Sequence, residues 1–174
     1  MKRRQLITAA CMASFAMAAH AQTQEPIRIG AVYALTGPVA PYGTAQQKAL
    51  QLRVEQINSR GGLKGRKIEV TYYDTEGNGN KAVQYVRKAI ESDKVDLIIG
   101  PSTTGESLLA APIANSFKVP LISHSGSQTV VDPATPYVFQ TPQYDRVAVP
   151  TVLREFQKKG FKKVALLNST DGYG

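Results

Sequence analysis

The stretch IRIGAVYALTGPVAPYGTAQQKALQLRVEQINSRGGLKGRKIEVTYYD, residues 27–74, decides the fold, because the spacing of its apolar residues changes twice. Ile27 to Leu35 is a nearly continuous apolar run, suited to a strand buried on both faces. From Gly43 to Ser59 the apolar residues Leu50, Val54 and Ile57 recur at spacings of four and three, which places them on one face of a helix that Gly61-Gly62 ends. Lys67 to Tyr73 returns to strand composition.

Outward from that unit the pattern repeats. A helix is predicted over Asn80 to Glu91 on Ala82, Val86, Ala89 and Ile90, followed by a strand at Val95 to Gly100. The next helix, Gly105 to Lys118, contains Pro112, which lacks a backbone donor and clashes with the preceding turn, so a kink or a late start is expected. Strands at Val119 to Ser123 and Tyr137 to Gln140 flank a hydroxyl-rich loop, and a helix at Asp145 to Lys159 and a strand at Lys163 to Leu167 complete the series. Strands alternating with helices specify an α/β fold with a mostly parallel sheet. The pattern changes scale at Gln140-Thr141-Pro142-Gln143, the expected exit from a first lobe (22–141) into the start of a second (142–174). The chain stops seven residues beyond the last strand, where a helix should begin, and reads as truncated.

The leading segment reads as a targeting peptide. Lys2, Arg3 and Arg4 are followed by the uncharged apolar run Leu6 to Met17 and by Ala19-His20-Ala21, the small-residue pattern of a signal peptidase site, so residues 1–21 are expected to be cleaved after Ala21. The apolar run is shorter than the roughly 20 residues of a membrane span, so no membrane insertion is expected after cleavage. Arg3-Arg4 faintly resembles a twin-arginine signal, but general secretion is the default for such a region. Thr8 stands where a lipobox before Cys11 wants leucine.

Cleavage removes Cys11, the only cysteine, which leaves no disulfide, thiol nucleophile or thiolate metal site. Loss of the three leading cations lowers the formal charge from +8 to +5. The remaining basic residues are scattered apart from Lys158, Lys159, Lys162 and Lys163, which read as a solvated face, and nucleic acid is not an expected partner.

In an open parallel sheet, ligands bind at the carboxyl ends of strands, where loops and helix N-termini present unpaired backbone donors. Three loops there are Thr36 to Gly43, Pro101 to Gly105 and His124 to Gln128, all carrying hydroxyls or glycines. Hydroxyls accept from an ammonium and donate to a carboxylate, and glycines let a backbone come close, so the loops suit a small zwitterion. The same residues also cap helices and make turns.

Taken in order, Ile27-Arg28-Ile29-Gly30, Leu35-Thr36-Gly37-Pro38, Tyr42-Gly43, Asn58 to Lys67, Asp74 to Asn78, Ile98-Ile99-Gly100-Pro101 and Val119 to Ser123 resemble the branched-chain amino-acid binding proteins, type I periplasmic solute receptors. The resemblance implies two α/β lobes closing on an amino-acid-like ligand, with the first lobe nearly complete here and the second only begun. It implies a monomer in the periplasm that serves an inner-membrane ABC permease, with no enzymatic activity, cofactor or metal. By the same resemblance, Thr104 holds the ligand carboxylate, the Ser125 carbonyl takes the ammonium, Ser127 uses amide and hydroxyl, and Tyr42 and Tyr173 form aromatic walls. The acidic residue completing the ammonium site is expected beyond Gly174. His124 and Ser125 depart from the proline and alanine usual at these positions, which makes the pocket more polar, and His124 itself reads as a solvated loop residue.

Other readings fail on residues. Gly77-Asn78-Gly79-Asn80-Lys81-Ala82 fits a dinucleotide pattern, but Asp74 and Glu76 before it would repel a pyrophosphate. No G-x-S-x-G elbow supports a hydrolase. A ligand-sensing receptor domain of the same fold is the competing reading.

Overall fold

The computed structural model describes residues 25–174. The predicted signal peptide at 1–21, its cleavage site after Ala21, and Cys11 lie outside the described residues. The strands are β1 (Ile27–Tyr33), β2 (Ile68–Asp74), β3 (Leu97–Ile99), β4 (Leu121–Ser123) and β5 (Val138–Gln140). The helices are α1 (Ala40–Ser59), α2 (Gly79–Glu91), α3 (Thr104–Ser116) and α4 (Asp145–Lys158). All strand pairs are parallel, in the order β2-β1-β3-β4-β5, which is the α/β architecture the periodicity predicts.

The order reverses direction at β1: the chain steps outward to β2, then returns past β1 to β3. Right-handed crossovers therefore place α1 on one face of the sheet and α2 and α3 on the other. Accordingly α1 contacts β1 and β2, while α2 and α3 pack on each other and on the sheet. Alanines at 82, 89, 110 and 114 are fully buried and let that pair of helices come close around Val86, Ile98 and Leu121. Burying an aliphatic side chain of that size stabilises by about 1.5–3 kcal/mol.

Two contacts fix α1. Asn58 near its end accepts from the Ile68 N–H and donates to the Ile68 carbonyl, both at 2.8 Å, which locks the helix end to the start of β2. Gly43 near its start lies on the end of β1, where a Cβ would stand 2.0 Å from the Ala34 carbonyl oxygen.

Two expectations need correction. Helix α3 starts at Thr104 with no delay, because Thr103 and Glu106 form a reciprocal capping box that secures the first turn, and Pro112 sits on the exposed side of the helix. The predicted strand at 163–167 is absent: these residues are not paired, and Leu166 and Leu167 are 93% and 102% exposed. A strand is held by its neighbours' backbone groups, and among the described residues no other strand lies beside this one. Helix α4 forms as predicted, yet none of its residues is buried.

Candidate functional site

The loops after β1 and β3 leave the sheet at the point where the strand order reverses, so a crevice opens between them. Asp74, at the end of β2, shapes the first loop. Its carboxylate accepts from the N–H groups of Leu35 (2.9 Å) and Thr36 (3.2 Å) and from Thr36 Oγ1 (2.6 Å). Desolvation opposes ionisation there, but these bonds and the Glu76 N–H outweigh it and hold the carboxyl below its ordinary value.

The second loop is held from beneath. Glu106 is buried, and its carboxylate accepts from Thr103 N–H (3.0 Å), Thr103 Oγ1 (2.7 Å) and Thr75 Oγ1. Its position in the first turn of α3 places the charge where the helix dipole favours it. Thr104 is thereby fixed at the mouth of the crevice.

A chain of hydroxyls runs behind it. Ser107 Oγ meets Ser123 Oγ at 2.8 Å, Ser123 Oγ accepts from Ser125 N–H at 2.9 Å, and Ser125 Oγ meets Thr104 Oγ1 at 2.8 Å. Ser125 Oγ also accepts from the Ser127 N–H at 3.1 Å. Thr104 and Ser127 thus share one buried hydroxyl. The Ser127 hydroxyl itself caps a 3-10 turn at Gln128–Val130 and meets Thr129 Oγ1 at 2.8 Å.

On the β1 side, Ser102 Oγ accepts from Ala34 N–H (3.1 Å) and donates to Gln46 Oε1 (2.6 Å). The His124 ring lies 5.7 Å from the Tyr33 ring, with Nε2 at 3.4 Å from the Tyr33 hydroxyl and Nδ1 at 3.0 Å from Thr141 Oγ1. Burial keeps the imidazole below its ordinary pKa and raises that of the Tyr33 hydroxyl, so both are neutral near pH 7. His124 is therefore a half-buried, held side chain and not the solvated loop residue its sequence context predicts.

The turn Asp171 to Gly174 borders the crevice. Asp171 Oδ1 accepts from Ser169 Oγ (2.8 Å), Tyr173 N–H (2.9 Å) and Gly174 N–H (3.2 Å), which hold its carboxyl below the usual range. The Tyr173 hydroxyl donates to Asp145 Oδ1 at 3.3 Å, and its ring lies on Gly126, where a Cβ would come within 2.8 Å of it.

The result is an open cleft of about 270 Å³, lined by Val39, Tyr42, Gln46, Ser102, Thr103, Thr104, His124, Gly126, Asp171 and Tyr173. Of the sequence-predicted residues, Tyr42, Thr104 and Tyr173 line it together; Ser125 lies directly behind Thr104, and Ser127 stands outside the lining. Sequence reasoning missed Gln46 and Asp171, and named Ser102 only as part of the Pro101 to Gly105 loop. Gln46 follows Tyr42 by four residues and so shares its helical face, a signal that was present in the spacing. A second hollow, of about 280 Å³, lies between α3, the 3-10 turn and β5. It has a mainly apolar lining and no part in this constellation.

Residues 26–174 match the family model for a periplasmic binding protein. The Leu/Ile/Val-binding protein BraC3 of Rhizobium johnstonii is 31% identical, over 97% of this chain and 46% of the relative. The branched-chain amino acid transporter substrate binding protein LivJ of Streptococcus pneumoniae, solved with isoleucine, superposes with a TM-score of 0.65 at 34% identity, covering 68% of this chain and 34% of that one. An extracellular ligand-binding receptor from Rhodopseudomonas palustris superposes with a TM-score of 0.77 at 29% identity, covering 87% of this chain and 41% of that one. The chain thus spans about half the length, or less, of the relatives it matches. Sheet order, cleft position and family model agree, and the chain belongs to the periplasmic binding protein family.

Proposed function

We propose that this protein is the solute-binding component of an ABC importer. In this reading the leader at 1–21 is removed after Ala21, and the periplasmic monomer captures a small amino acid or amino-acid-like ligand between two lobes. Residues 22–141 supply the first lobe and 142–174 begin the second. The loaded protein delivers the ligand to an inner-membrane permease, with no catalytic step and no nucleic acid.

The observation that carries the reading is the Thr104–Ser125 hydroxyl pair at the N-terminus of α3, inside a cleft walled by Tyr42 and Tyr173. The helix dipole and the Thr104 hydroxyl favour a carboxylate there. The Ser125 carbonyl and Ser127 supply the remaining polar contacts, and the rings of Tyr42 and Tyr173, 65% and 57% exposed, bury against the ligand as the lobes close. The relatives point the same way: BraC3 is a Leu/Ile/Val-binding protein and LivJ holds isoleucine.

The test is a thermal-shift screen of the complete protein against amino acids, amides and aromatic acids, repeated with Thr104→Val. A ligand should raise the melting temperature, and Thr104→Val should weaken its binding by about 1.5–3 kcal/mol, the range for a hydrogen bond to a charged group. Unchanged affinity would remove Thr104 from the site.

A further inference from the structure

The polar groups of the cleft form two sets, separated by their hydrogen-bond partners. One is Thr104 with Ser125 behind it, already assigned to the ligand's amino-acid head under the proposed function. The other is Gln46 on α1, supported by Ser102, together with His124, supported by Tyr33 and Thr141.

The support fixes how the second set faces the cleft. Ser102 Oγ donates to Gln46 Oε1 at 2.6 Å, so the carbonyl end of that amide is occupied. The Nε2 end makes no hydrogen bond among the described residues, and Gln46 lines the cleft. His124 also lines it, and its bond to the Tyr33 hydroxyl, at 3.4 Å, is long enough to be exchanged for a better partner. Burial keeps this ring uncharged, as noted above.

These groups discriminate between kinds of ligand end. A branched aliphatic end would remove water from the Gln46 amide and the imidazole without replacing its hydrogen bonds, and a site built to bond a polar group rejects the analogue that lacks it. An acidic end would also fit poorly, since the lining contains no Lys or Arg and its one charged residue is Asp171. We propose that Gln46 and His124 set the class of the ligand's side chain: an α-amino acid ending in an uncharged hydrogen-bonding group, a carboxamide or hydroxyl, in place of a branched aliphatic one. This assignment rests on the amino-acid reading of the same cleft.

The experiment is calorimetric titration of the complete protein and of Gln46→Leu, His124→Leu and Thr104→Val with L-glutamine, L-threonine, L-leucine and L-glutamate. Glutamine or threonine should bind at least about tenfold more tightly than leucine or glutamate, and Gln46→Leu or His124→Leu should reduce the preference over leucine by about tenfold. Melting curves identify any variant that fails to fold, and the other variant then carries the comparison. Leucine binding as tightly as the polar amino acids, or a preference unmoved in both folded variants, overturns the proposal. Tight leucine binding that Thr104→Val abolishes would overturn it while sustaining the amino-acid site, whereas no binding of any amino acid would overturn both.

Discussion

Residues 97–99 and 163–167 are both short apolar stretches that follow a helix, and they have opposite fates. Leu97–Ile99 is the central strand of five, hydrogen-bonded to β1 on one side and β4 on the other, and Ile98 is fully buried. Lys163 to Leu167 pairs with no strand among the described residues, and Leu166 and Leu167 are exposed. Local composition does not separate them; neighbours do. A strand is stable when both its backbone edges and its side chains find partners, and β3 finds them in β1 residues 68 positions before it and β4 residues 23 positions after it in the chain.

The sharpest way to break this comparison is a pair of matched truncations. Ile98→Ala should cost about 3 kcal/mol, since it leaves a void among fixed neighbours, while Leu166→Ala should change stability by less than about 0.5 kcal/mol. Urea unfolding of the two variants measures both. Equal effects would mean that 163–167 is packed like β3.

A smaller effect tests the hydrogen-bonded part of the first region. Glu106→Leu leaves the Thr75 and Thr103 hydroxyls and the Thr103 N–H without their acceptor, and should cost about 2 kcal/mol. Amide exchange should then quicken in the first turn of α3 and leave α4 unchanged. Faster exchange confined to α4 would show that the carboxylate supports something other than the loop that carries Thr104.

How much was legible follows from the same contrast. The apolar runs and helical spacings identified nine of the ten predicted elements; eight of these, all but α4, belong to the first region and find partners close to where periodicity says they should be. The strand lengths were not legible: β3 is three residues long because its pairing to β1 extends only over Ile29 to Ala31. Position after strand ends picked out the loops that carry Thr104 and Tyr42, and the family resemblance singled out the two residues. His124 also follows a strand end, but its burial was not legible, because its partner Tyr33 lies 91 residues away and sequence cannot show that a loop imidazole will meet a buried phenol. Asp171 was missed because it reaches the cleft through a turn with no periodicity of its own.

The smallest effect concerns His124. Its pKa in the folded protein lies below the unfolded value of 6.5, so the unfolded chain takes up the proton first as pH falls. The stability this ring contributes is present above 6.5 and is lost progressively as pH falls from there through its folded value. The melting-temperature advantage of the wild type over His124→Gln should therefore shrink between about pH 7 and pH 5. An advantage that stays constant or grows would mean the ring is not buried in its neutral form.

Under the proposed function, residues 22–141 supply one side of the binding site, and capture needs a second lobe. The cleft is open to water, so each hydrogen bond to a ligand contributes only about 0.5–1.5 kcal/mol net, against roughly 4 kcal/mol or more lost in immobilising the ligand. Calorimetric titration of the 174-residue chain beside a chain continued to the length of the relatives it matches, with one ligand found by the screen, tests the two-lobe reading. Binding should be millimolar or weaker for the 174-residue chain and micromolar or tighter for the extended one. Micromolar binding by the 174-residue chain alone would contradict it.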